Sequence, residues 1–317
     1  MGWKSYHVFY HDEDKMDELL CFLKEHFLDK VIRKRYFFFI RYWKGGPHLR
    51  LRIKELSDEE EKTFYHVVNH FFYKNPSEVT LNKIEFYHRY QMLLDKETKY
   101  MEWFANHSIH QIDYIPELRR YNGPKVMALS EEQFTYSSMY ILEILQRRNI
   151  KSYKDRYKFG LQSIIYMVRS MKLSLQKQID FLRSYCIGTI TAYLPNQIDA
   201  VLFKFSNFYK ENESVYRSFL KNSWMNDHPS FYKQYLLFSK EIKNHYDQGD
   251  FIYNNIKIQS IEDWHPKETA VGQTYWSWIH MHSNRLGISP MTEAEIAFQL
   301  SHALDSVRRE NNEIAVN

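Results

Sequence analysis

The sequence predicts an α+β protein, one antiparallel sheet set in predominantly helical surroundings. Three observations lead there. Two β-rich runs, Tyr36–Trp43 and His48–Lys54, are separated only by Lys44-Gly45-Gly46-Pro47, and so short a connection joins strands as an antiparallel hairpin. From Ser130 onward, apolar residues recur at helical spacing through most of the chain. Finally, 9 glycines and 8 prolines among 317 residues are too few for a fold of many tight turns or for disorder, while a 44% hydrophobic fraction can fill a core.

The elements follow in order. Trp3–Tyr10 is aromatic and predicts a first strand. Met16, Leu19, Leu20, Leu23 and Phe27 share a helical face, with acidic residues at its start and Lys30 beyond its end. After the hairpin, Ser57 with Glu60 reads as a capping box opening a helix that carries Phe64, Val67, Val68 and Phe71. Alternation of Ile84, Phe86 and His88 predicts a strand within Thr80–Met92, and Asp95–Asp113 has no clear pattern. Tyr114–Met127 contains Asn122-Gly123-Pro124, a turn signal. A helix is then expected from Ser130, with Phe134, Ser138, Ile141, Leu142 and Leu145 on one face. Helical periodicity continues over Ser152–Ala192, breaks at Leu194-Pro195-Asn196, and resumes over Gln197–Ile242. Phe251–Ile258 reads as a short strand. Gln273 onward is helical, closed at Gly287, and a last helix carries Ile296, Leu300 and Leu304 before a tail, from Arg308, expected to fray. No repeat or linker divides the chain, so residues 1–317 are expected to form a single domain.

Several classes of function are set aside by composition. A net charge of +4 is too small to indicate nucleic acid. Cys21 and Cys186 form neither a metal spacing nor a disulfide framework, and both are expected to be buried thiols. No phosphate loop, dinucleotide fingerprint, HExxH or CxxC occurs. Among 15 histidines, His280 and His282 are two apart with no carboxylate at ligand spacing, so no metal and no cofactor is expected. No charged-then-apolar leader and no apolar run of about 18 residues is present, which points to a cytoplasmic protein with no membrane partner.

Three stretches hold candidate functional residues. In His48–Lys54, His48, Arg50 and Arg52 alternate with Leu49, Leu51 and Ile53, so a strand lays one imidazole and two guanidiniums on one face. Such a row suits a carboxylate; equally, basic residues guard solvated edge strands. Glu117 and Arg120, three apart before Tyr121, are a local ion pair or a carboxylate orienting an arginine for an anion. His280-Met281-His282-Ser283-Asn284-Arg285 gathers acid–base and hydrogen-bonding groups at a helix end. It is either a terminus whose cations meet the last carbonyls or a histidine held for proton transfer.

Taken in series, FFFIRYWKGGPHLRLR, YIPELRRYNGPKVM and HMHSNRLGI resemble the carboxy-terminal, glutamate-elimination domain of the class I lantibiotic dehydratases, the thiopeptide-type bacteriocin biosynthesis domain. The resemblance starts at Trp3 and spans nearly the whole chain. It implies that fold, and a stand-alone elimination subunit of a split dehydratase. A separate glutamyl-tRNA-dependent subunit would esterify Ser or Thr of a precursor peptide. This chain would then expel glutamate to leave dehydroalanine or dehydrobutyrine, without contacting nucleic acid itself. On the family's motifs, Arg50, Arg52, Glu117, Arg120 and His280 are the implied catalytic set, with His282 the alternative alignment for the histidine. His48, Tyr121, His282, Asn284 and Arg285, which lie beside these positions, are the candidate binding residues, His48 with no role of its own assigned. Asn122 stands where the family commonly has Gly, a mild change because Asn tolerates left-handed backbone. Two other readings accompany this one: a pyridine synthase joining two dehydroalanines by formal aza-[4+2] cycloaddition with leader loss, and a non-catalytic peptide-binding maturation subunit. The oligomeric state stays open, a dimer included.

Overall fold

A computed structural model describes residues 2–31, 35–90, 102–148, 150, 152–225, 230–253 and 264–316. Its contacts divide the chain into two compact units, Met1–Pro116 with Glu131–Lys151 and Glu117–Ser130 with Ser152–Asn317.

The first unit is built on a sheet of β1 (Trp3–Phe9), β2 (Phe37–Tyr42), β3 (His48–Lys54) and β4 (Ser108–Gln111), in the order β2-β3-β1-β4. All neighbours are antiparallel, and the short Trp43–Pro47 connection makes β2 and β3 the expected hairpin. Because β3 pairs with β2 on one side and β1 on the other, it is interior. The edge-strand reading of its basic row is therefore wrong, since both flanks of its backbone are already hydrogen bonded.

Side-chain alternation gives this sheet two unlike faces. Tyr6, Val8, Phe37, Phe39, Leu49, Leu51 and Ile53 point to one side and are essentially fully buried. Helices α1 (Met16–Leu23) and α3 (Asp58–Lys74) lie on that side, with Phe64 of α3 against Tyr6 at a ring separation of 4.6 Å. A π turn, Lys24–Leu28, and the short α2 (Asp29–Val31) continue α1. The α3 capping box forms as expected: Ser57 Oγ accepts from Glu60 N–H, and Glu60 accepts from Ser57 N–H at 2.9 Å. Ser5, His7, Phe9, Phe38, Ile40, Tyr42, His48, Arg50 and Arg52 occupy the opposite face.

The strand expected in Thr80–Met92 is instead helix α4 (Lys83–His88). Asn82 accepts from the N–H groups of Ile84 and Glu85, and this cap starts a helix that buries Phe86 and Tyr87 together. Residues 91–101 lie outside the described residues, so the Asp95–Asp113 stretch is seen only at its end, where β4 forms. Helix α5 (Pro124–Arg148) begins six positions before the expected Ser130, because Pro124 supplies a first-turn residue with its backbone angle preset. Phe134, Ser138, Ile141, Leu142 and Leu145 are buried as predicted.

In the second unit, α6 (Tyr153–Ser170), α7 (Leu175–Tyr193), α8 (Ile198–Met225), α9 (Ser230–Asp247), α10 (Pro266–Leu286) and α11 (Pro290–Val316) form a helical assembly in which α7 and α11 pack together. The helical periodicity over Ser152–Ala192 is carried by two helices, with Met171 ending α6 and Ser174 capping α7. The next stretch likewise divides into α8 and α9. Of the strand expected at Phe251–Ile258, Phe251–Tyr253 are not in a strand, and the remainder lies outside the described residues. Helix α10 starts at Pro266, earlier than Gln273, and ends at Gly287 in left-handed conformation, φ 75°. The tail expected to fray from Arg308 is helical to Val316, and Asp305 holds its start by pairing with Arg308 and Arg309. Cys186 is buried, but Cys21 is only partly so.

Candidate active site

Each unit carries one group of the predicted residues. In the first, His48 is 1% exposed, and its Nδ1 lies 2.8 Å from the Gly46 carbonyl. A carbonyl can only accept, so Nδ1 bears the proton and Nε2 is an acceptor. Arg50 Nε–H donates to that Nε2 at 3.3 Å, and its guanidinium carbon lies 3.5 Å from the centre of the Tyr42 ring. A hydrogen bond at one edge and an aromatic face beneath thus orient the Arg50 plane. Arg52 is packed against Tyr114 at 4.4 Å and Phe38 at 5.3 Å.

The imidazoles here are neutral. Burial lowers the His48 pKa to about 3, opposed by the hydrogen bond to Gly46 and reinforced by the Arg50 charge. His7 stacks on His48 at 4.9 Å, and burial, then the Arg50 charge, lowers its pKa to about 2. Both folded-state values lie below the ordinary 6.5, so the unfolded chain takes up protons first. The stability these residues permit is complete above about pH 6.5 and is lost as pH falls toward about 3. Each costs about 1.4 kcal/mol per pH unit in that window. Melting temperature is therefore expected to fall between about pH 7 and about pH 5, less steeply in a His7→Phe variant. An unchanged melting temperature would contradict the assignment.

The second group starts from the turn after Glu117. Tyr121 N–H returns to the Glu117 carbonyl at 3.1 Å and Gly123 N–H to Leu118 at 2.8 Å. Asn122 has φ 63° and Gly123 φ 133°, so the left-handed position is tolerated by Asn as expected. The Asn122 side chain donates to Thr274 Oγ1 at 3.1 Å. A Cβ on Gly123 would lie 2.9 Å from Ile252 and 3.0 Å from the Asp250 carbonyl, so this position requires glycine. The fixed turn presents Arg120, which donates to Glu117 at 3.1 Å and to Ser277 Oγ of α10 at 3.3 Å.

One turn along α10 from Ser277, His280 Nδ1 lies 3.1 Å from Glu293 Oε2 of α11. The same oxygen accepts from the Tyr185 hydroxyl of α7 at 2.6 Å. Glu293 is 0% exposed, whereas the His280 side chain retains 27% exposure. Burial first, and then the Glu293 charge, hold the Tyr185 phenol well above its ordinary pKa, with Arg120 acting in the opposite sense. His280 and His282 do fall on different faces: His282 is 1% exposed, 5.3 Å from the Phe231 ring, and lowered to about 3 by burial and then Arg285. Tyr121 and Arg285 are also enclosed by protein, at 2% and 0% exposure, and Asn284 is partly exposed beside the Gly287 cap.

Sequence reasoning missed Ser277, Tyr185 and Glu293. Tyr185 falls in phase with Phe181 and Leu182 and so reads as core, and an acidic residue at Glu293 reads as a helix-start charge. Neither carries a local signal of its partner. Among the described residues, no group of three or more His, Cys, Asp or Glu is placed to hold a metal ion, and no helix is long and apolar enough to cross a membrane.

A family model described as "Lantibiotic biosynthesis dehydratase C-term" matches residues 3–304. The chain belongs to this family. Epidermin biosynthesis protein EpiB of Staphylococcus epidermidis is 25% identical over 300 residues, covering 92% of this chain and 24% of EpiB. The lantibiotic dehydratase C-terminal chain thus spans about a quarter of that relative's length. In fold it is similar to TbtD, a pyridine synthase from thiomuracin biosynthesis, with TM-score 0.75 and 17% identity over 97% of this chain and 99% of TbtD. TsrL gives TM-score 0.68 and 14% identity over 96% of this chain and 94% of its own. The tRNA-dependent lantibiotic dehydratase MibB from Microbispora sp. 107891 gives 0.53 and 15% over 98% and 28%. The fold class read from the sequence, a small antiparallel sheet among helices, agrees with these neighbours.

Proposed function

We propose that this chain is a lyase, one glutamate-elimination domain over residues 1–317, acting on glutamylated Ser or Thr of a ribosomal precursor peptide. The observation that carries the reading is the oriented Arg50, whose hydrogen bond to His48 and stacking on Tyr42 preset a guanidinium for a carboxylate. Arg50 and Arg52 hold the glutamyl group, and Glu117 orients Arg120 toward an anion. His280 Nε2 accepts the α-proton. The Cα–H electron pair becomes the Cα=Cβ bond, the Cβ–O ester bond breaks, and glutamate leaves as a carboxylate stabilised by guanidinium. The product is dehydroalanine or dehydrobutyrine. The preceding esterification is assigned to a separate glutamyl-tRNA-dependent subunit, and the reaction to the cytoplasm. A homodimer is compatible with this scheme.

Likeness in fold to the pyridine synthase TbtD over nearly the whole of both chains keeps the cycloaddition reading alongside. That chemistry has no glutamyl carboxylate to bind, and so gives the anchored arginine no task. One experiment separates the readings. Purified protein is given a glutamylated precursor peptide, and separately a dehydroalanine-containing peptide, and both are followed by mass spectrometry. Loss of glutamic acid from the first is the expected result. Loss of leader from the second, with the first unchanged, means cycloaddition, and binding without mass change means a maturation subunit.

A further inference from the structure

We infer that Glu293 and Tyr185 are positioning residues for His280, a buried carboxylate and phenol that set which imidazole nitrogen meets the substrate and balance the charge the ring acquires. The inference rests on His280 as proton acceptor and extends that role to two residues behind it.

Tautomer selection follows from the geometry. Tyr185 retains its hydroxyl proton, because burial and the neighbouring carboxylate oppose its ionisation. It therefore donates to Glu293 Oε2 at 2.6 Å. The carboxylate oxygen accepts, so the 3.1 Å contact from His280 Nδ1 is also a donation, N–H to oxygen. The proton on Nδ1 leaves the lone pair on Nε2. When Nε2 takes a proton, the ring becomes an imidazolium whose Nδ1–H already faces a buried carboxylate. That interaction strengthens in the transition state, which is the condition for raising rate rather than affinity.

The surroundings are built to hold this arrangement. Three helices supply the three groups, α7 for Tyr185, α10 for His280 and α11 for Glu293. Tyr185 is 1% exposed and Glu293 0%, so neither touches a peptide in solution, and both act through His280. Trp276 packs on Tyr185 with ring centres 4.7 Å apart. The same indole closes on Gly188, three residues further along α7, where an added Cβ would lie 2.6 Å from the ring. Glu293 N–H bonds to the Ser289 carbonyl at 3.0 Å, which anchors the carboxylate-bearing turn.

Three variants test the relay. In Glu293→Gln, the amide oxygen can take the place of Oε2 and accept both bonds, while the amide NH2 takes the place of the buried Oε1, for which the described residues offer no hydrogen-bond partner. Expected are a kcat about 10- to 100-fold lower, KM within about threefold, and a lowered melting temperature from the unpaired amide NH2. Tyr185→Phe is expected to lower kcat by about 3- to 10-fold. In Glu293→Leu, nitrogen-15 spectra of histidine-labelled protein are expected to show the His280 ring shifting from one tautomer to a mixture, a readout independent of turnover. A Glu293→Gln protein with full kcat while His280→Ala is inactive overturns the relay alone. Full turnover in His280→Ala overturns the base assignment and the relay with it. An unchanged His280 tautomer in Glu293→Leu also overturns the relay. Should Glu293→Gln fail to fold by circular dichroism, Tyr185→Phe decides: full kcat there overturns the relay, and a selective loss supports it.

Discussion

Replacing His280 by alanine is expected to reduce glutamate elimination by about 100- to 10,000-fold, the usual contribution of a positioned general base. The ring is suited to that part. It keeps 27% side-chain exposure while one nitrogen is fixed against Glu293. An α-proton beside a peptide carbonyl is weakly acidic, so loss of the acceptor falls on the chemical step. Glutamylated peptide is therefore expected to accumulate, with its binding little changed. Two measurements check this: single-turnover elimination followed by mass spectrometry, and peptide affinity by fluorescence anisotropy. The counterpart His282→Phe is expected to leave turnover nearly intact if the protein folds, since His282 is buried against Phe231. Wild-type elimination by His280→Ala would overturn the assignment, and loss confined to His282→Phe would transfer the role.

Substituting Arg50 by alanine is expected to lower kcat/KM for a glutamylated peptide by about 10- to 150-fold, the equivalent of a charge-assisted hydrogen bond worth about 1.5–3 kcal/mol. Lysine should rescue little. An ammonium lacks the planar fork, and it cannot reproduce the guanidinium's combined contact with His48 and the Tyr42 face. On the proposed role, the effect should depend on the substrate, because the partner lost would be the glutamyl carboxylate. Binding of the same peptide without its glutamyl group should be unchanged. Equal losses for both peptides would mean that Arg50 supports the sheet and does not grip the substrate.

Much of this molecule is legible in one dimension because its causes are local. The β2–β3 hairpin follows from a five-residue connection, Trp43–Pro47, and the two faces of β3 from strict alternation. Ser57 and Glu60 cap α3 from three residues apart, and Gly287 ends α10 by adopting a left-handed angle. The Glu117–Arg120 pair spans three residues and forms as a local ion pair. Where a local signal misleads, a neighbouring one overrides it: Ile84, Phe86 and His88 alternate like a strand, yet the Asn82 cap turns them into α4.

The sequence by itself therefore determined the hairpin, the basic row, most helices and the family motifs, since each depends on residues close together in the chain. Tertiary structure alone decided the rest. It placed β3 inside the sheet, because pairing on a second flank requires β1, more than forty positions away in the register Tyr6 with Leu51. It gave His48 a task, as a buried neutral acceptor for Arg50, since neutrality arises from burial and not from residue type. And it brought Tyr185 and Glu293, 108 residues apart, onto one oxygen beside His280, a meeting of three helices that no spacing in the sequence encodes.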